Sequence, residues 1–147
     1  MVGARRHCCA AAEVRRSLLA MELMRLESLL AEASARLLRA VALQEGCASA
    51  CAVTESAWEA AGRAARFDEG VGPAPVTVSQ LESGRASRSA AVAELMRKVE
   101  EARRALASAA SEVGRAEAEE VSARQALERH LRVIGRWEAS GGSGETG

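Results

Sequence analysis

The chain has 147 residues, 48% of them hydrophobic yet only 2% aromatic, and its 20 basic and 20 acidic residues cancel to a formal charge of zero. Large rings are confined to Trp58, Phe67 and Trp137, which excludes a globular core of ordinary build, because aromatic side chains bury the most area per residue. The zero balance does not predict a large phosphate footprint, so nucleic acid is not expected as a partner.

The first residues carry Arg5 and Arg6, followed by the short apolar run 8–12, which stops at Glu13. That run is too short for a signal-peptide core. No uncharged apolar stretch approaches the roughly 18 residues of a membrane span, so a cytoplasmic protein without direct membrane insertion is expected. His7, Cys8 and Cys9 read as residues of a frayed terminus, with an adventitious metal or palmitoylation site as the sharper alternative.

Helix 1 is expected over about residues 4–67. Stepping by four and three from Leu19 gives Leu23, Leu26, Leu30, Ala33, Leu37, Ala40, Gln44, Cys47, Cys51, Thr54, Trp58, Ala61 and Ala65. A repeat averaging about 3.5 residues keeps one narrow stripe against a partner helix and marks a coiled coil. Leu29, Leu38, Val41 and Leu43 widen the stripe in its leucine-rich part. Cys47 and Cys51 lie one turn apart on the seam and read as small buried hydrophobes. A zinc site would need further ligands, and the two histidines are far along the chain, so no metal or other cofactor is expected.

The segment 68–76 holds both prolines and two glycines, which end one helix and turn the backbone. Helix 2 is expected over about 77–139, opened by a capping box of Thr77 with Gln80, or of Ser79 with Glu82. Its seam runs Val92, Leu95, Val99, Ala102, Leu106, Ala109, Val113, Ala116, Glu120, Ala123, Leu127, His130, Ile134 and Trp137. The Gly/Ser-rich residues 140–147 are expected to be a disordered tail.

Two helices of nearly equal length, each about 90 Å at about 1.5 Å per residue, joined by so short a turn, predict an all-α fold. It is a long two-helix antiparallel coiled-coil hairpin, a single domain over 4–139. With the turn centred near Gly72, facing residues sum to roughly 144. Leu37 then lies near Leu106, Leu30 near Val113, Gln44 near Val99, Leu23 near Glu120 and Val121, and Trp58 opposite Ala86. Arg85 or Arg88 would lie over the Trp58 indole. Around Ser83–Ser89 the seam has no large hydrophobe, so the loop-proximal third is expected to pack most weakly, with Gly84 a candidate bend. Gln44, Glu120 and His130 are polar seam residues that fix register; His130 as a pH switch is the sharper reading.

No catalytic constellation is visible, so the chain is not expected to be an enzyme. Glu94 with Lys98 and Glu100 with Arg104 are surface pairs at helical spacing. The features suited to contact are the two ends. The terminal end gathers Arg5, Arg6, Arg15, Arg16, Arg129, Arg132, Arg136 and Trp137, a basic tip on a neutral chain. The loop end offers Trp58, Phe67, Asp68 and Glu69.

An Ala/Arg-rich chain of this size, built as one long hairpin with the basic terminal segment Arg124–Trp137, resembles the FliJ/YscO (SctO) stalk family of type III secretion systems. The resemblance covers both helices. It implies a non-enzymatic, cytoplasmic stalk, peripheral at a membrane secretion complex, that couples a hexameric export ATPase to the export gate. Arg5, Arg6, Arg129, Arg132, Arg136 and Trp137 would contact the ATPase; Trp58, Phe67, Asp68 and Glu69 would face an export-gate protein or export chaperones. This chain lacks the tyrosines that some members place near the gate-binding end. The rival expectations are a generic coiled-coil adaptor and a homo-oligomeric helical bundle, in which Leu18, Leu29, Leu38 and Leu131 support a weak homodimer.

Overall fold

A computed structural model describes the backbone of residues 2–68 and 77–141, and the side chains of 9–66 and 77–141. Two helices make up the described chain, α1 (Val2–Asp68) and α2 (Val78–Ala139). Both are rich in alanine, leucine, arginine and glutamate, the strongest helix formers, and neither contains proline. The helix runs unbroken through Gly84, the candidate bend. At the start of α2 the amides of Gln80 and Leu81 donate to the Thr77 carbonyl. At its end Ser140 N–H donates to Arg136 O, Gly141 N–H to Glu138 O, and Gly141 adopts φ 77°. That left-handed residue is the ordinary glycine stop of a helix. Ser140 and Gly141 thus belong to the cap of α2; residues 142–147, the rest of the expected tail, and the turn 69–76 lie outside the described residues.

The helices pair antiparallel as a hairpin that divides into two compact units. Unit 1 holds residues 1–39 with 114–147, and unit 2 holds 40–113. In unit 1 the buried side chains are Leu26, Ala33 and Ala116; in unit 2 they are Cys51, Val99 and Ala109. All six are heptad-seam residues, and every other seam residue read from the sequence is at least half-buried. Of the residues expected to widen the stripe only Val41 is half-buried, whereas Leu29, Leu38 and Leu43 are exposed. In unit 2, residues 77–91 are exposed except at Gly84 and Arg88, the thin packing expected near the turn.

The register differs from the expected one. In unit 1 Arg16 lies over Trp137, and Arg36 pairs with Glu119 at 3.3 Å. In unit 2 Arg103 pairs with Glu55 at 2.7 Å. These contacts place seam residues of one layer at a sum of about 153. Leu37 therefore faces Ala116, Leu30 faces Ala123 and Leu23 faces His130 in unit 1; Gln44 faces Ala109 and Trp58 faces Leu95 in unit 2. The reason is phase. Both stripes point inward together only at registers one heptad apart, and the expected sum lies between two of them. The observed register sets Glu120 against small Ala33 and within reach of the Ser34 hydroxyl; the register one heptad nearer the expected sum would press it onto Leu26. Leu30 and Leu37 of α1 then meet alanines of α2, large against small, whereas Leu19 meets Ile134 and Leu26 meets Leu127.

Candidate functional site: the paired end of unit 1

In this register Ala139 stands level with Val14, so α1 continues for about three turns past the end of α2. The last shared layer joins Arg16 to Trp137. The Arg16 guanidinium carbon sits 5.6 Å from the indole centroid, a cation–π contact. Trp137 is half-buried there because it occupies a seam position and faces α1. Arg16, Leu19, Ala20 and Leu23 on α1, with Ile134, Trp137, Glu138 and Gly141 on α2, line an open groove of about 400 Å³. Its floor is apolar and its rim carries one cation and one carboxylate.

Two turns inward along α2, His130 Nε2 lies 2.9 Å from the Leu19 carbonyl. A carbonyl only accepts, so Nε2 carries the proton and the imidazole ties α2 to the α1 backbone. Beside it Glu22 accepts two hydrogen bonds from Arg25, at 2.8 and 2.6 Å. Those bonds hold the Glu22 carboxyl below its ordinary 4.5, with the nearby His130 charge a smaller contribution in the same direction.

The basic residues do not gather around the tryptophan. Arg129, Arg132 and Arg136 are exposed and recur at three- and four-residue steps on the side of α2 turned away from α1. With Gln125, Glu128 and Val133 they line a separate shallow concavity. Arg132 Nε donates to the Glu128 carbonyl at 3.4 Å. The end thus presents two surfaces, an outward arginine stripe and an inter-helix groove floored by Trp137. Arg5 and Arg6 lie on α1, with side chains outside the described residues. Arg16 was read from the sequence as one arginine of the basic tip but not as the partner of Trp137; the signal for that pairing was its seam position three residues before Leu19.

The loop end of unit 2 is less built. Trp58 is half-buried at a seam position level with Leu95 and, unlike Trp137, has no arginine over its ring among the described residues. The arginine stacking expected on Trp58 is on Trp137 instead. Phe67 and Asp68 close α1 with side chains outside the described residues, and Glu69 lies wholly outside them. Cys51 is buried and Cys47 half-buried on the seam, and both thiols are free. Among the described residues no three of His, Cys, Asp and Glu are grouped to hold a metal ion. No described helix is long and apolar enough to cross a membrane. Arg104 pairs with Glu100 as expected, but Glu94 takes Arg97 rather than Lys98, and Arg97 also reaches Glu101.

No protein-family model, no curated protein and no solved structure matches the chain.

Proposed function

We propose that this chain is a non-enzymatic central-stalk protein of a type III export apparatus, in which the paired end of unit 1 engages a hexameric export ATPase. The observation that carries the reading is the outward stripe of Arg129, Arg132 and Arg136 on the last turns of α2, beside a groove floored by Trp137. An antiparallel helical hairpin supplies an end where the last turns of α2 lie against α1, and a basic stripe on a neutral chain steers that end toward an acidic surface. Arg129, Arg132 and Arg136 make the charged contacts. Trp137 serves the same end differently: with its indole under Arg16, it offers a groove to an apolar side chain of the ATPase and holds the two helices in line. In this reading the opposite end, with Trp58, Phe67, Asp68 and Glu69, faces the export gate or an export chaperone, at the cytoplasmic side of the membrane.

The test is stimulation of the purified cognate export ATPase. Reversing all three charges in R129E/R132E/R136E should abolish stimulation while helicity by circular dichroism stays intact, and wild-type stimulation should weaken as salt rises. Stimulation that survives the triple reversal overturns the assignment of this stripe; a wild-type chain without any effect on the ATPase overturns the stalk reading.

A further inference from the structure

A second heptad runs along α1, on the face turned away from α2. Val14, Ser17, Met21, Met24, Ser28, Ala31, Ala35 and Leu38 recur at alternating steps of three and four, and none is charged. The stripe lies wholly within unit 1 and extends about 36 Å at about 1.5 Å per residue. Its large members stand in solvent: Val14 is 60% exposed, Met21 66%, Met24 70% and Leu38 72%, with Leu18 beside them at 60%. A strict heptad over more than three repeats is a packing pattern, not a scatter of surface hydrophobes. α2 already occupies the other face of α1, so this one wants a second helix.

We infer that the occupant is a second copy of this chain, its α1 antiparallel to the first about a two-fold axis. The stripe is self-complementary in that arrangement. Met21 meets Ala31, Met24 meets Ser28, Ser17 meets Ala35 and Val14 meets Leu38, each layer occurring twice, as an isologous interface requires. The flanking charges agree. Arg25 of each copy comes beside Glu32 of the other, at the same relative positions that bring Glu55 to Arg103 within the chain. One contact opposes the pairing: Glu27 meets Glu27 of the second copy across the axis. The product is a four-helix arrangement with the two α1 helices inside. It leaves the outward arginines of α2 uncovered and does not depend on any secretion role.

Sedimentation velocity on the full-length chain across micromolar to submillimolar concentrations tests this. A concentration-dependent dimer is expected. M21E/M24E should weaken it at least tenfold with helicity unchanged, because both side chains already face water in the single copy. Arg25→Glu and Glu32→Arg should each weaken the dimer, and their combination should restore it; Glu27→Gln should tighten it. A chain monomeric at every concentration, whatever other protein then covers the stripe, overturns the inference. So does a dimer indifferent to M21E/M24E, or one that the combined charge swap fails to restore. ATPase stimulation is read independently, so loss of either result is distinguishable from loss of the other.

Discussion

Single residues at the paired end carry the charge bookkeeping of unit 1. Glu22 is an exposed carboxylate whose proton affinity is lowered chiefly by the Arg25 hydrogen bonds. A lowered folded value contributes stability above the ordinary carboxylate range and loses it as pH falls through the folded value. Carbon-detected NMR titration should therefore find Glu22 ionised below 4.5, and Arg25→Ala should return it toward that value. Glu94 behaves alike through Arg97, whose own proton is held more tightly by the same bond. The Arg16–Trp137 contact is the other local determinant. Arg16→Ala should lower stability by about 0.5–1 kcal/mol, the usual worth of a cation–π pair at an exposed site, as read by thermal or denaturant unfolding.

At the level of the helices, the seam decides the fold and the flanks decide its register. Val99 is fully buried, so Val99→Ala should cost about 2 kcal/mol in denaturant unfolding, from about 0.8 kcal/mol per lost methyl(ene) plus a small cavity. A double-mutant cycle on Arg36 and Glu119 should yield only about 0.2–1 kcal/mol, because both side chains are about half exposed. Gly62, Gly114 and Gly135 are helical positions where an added Cβ would meet nothing within 4 Å. Alanine at each should stabilise by up to about 1 kcal/mol, read as a rise in melting temperature. The fold was legible because the heptad is a one-dimensional signal: each helix displays its buried face without reference to the other. Register was not, because it depends on both stripes at once. A turn centre guessed from Gly72 placed Leu37 near Leu106; demanding that both stripes face inward leaves only steps of a heptad, and Arg36–Glu119 with Glu55–Arg103 selects among them. The same error misplaced the indole contact, since the Trp58 ring was matched to arginines a heptad or more away. At the candidate site, the sequence showed which residues share the end but not which side of α2 each occupies, so the arginine stripe and Trp137 read as one cluster.

Across the whole molecule, the two units differ in what fills their layers. Those of unit 1 pair Leu19 with Ile134, Leu26 with Leu127 and Leu37 with Ala116; those of unit 2 pair Gln44 with Ala109, Cys51 with Ala102 and Thr54 with Val99. Larger apolar side chains bury more area, so unit 1 is expected to be the more firmly held, although Trp58 against Leu95 is a large pair in unit 2. Each unit also contains one tryptophan, Trp137 in unit 1 and Trp58 in unit 2, and the chain has no tyrosine. Indole emission is therefore already partitioned by position, without any attached dye. Trp137→Phe leaves a chain whose fluorescence reports unit 2 alone, and Trp58→Phe one that reports unit 1. The Trp58 signal is expected to shift at a lower temperature than the Trp137 signal, each compared with the circular dichroism of its own variant. Emission curves that coincide would mean that the helices melt end to end as a single cooperative element.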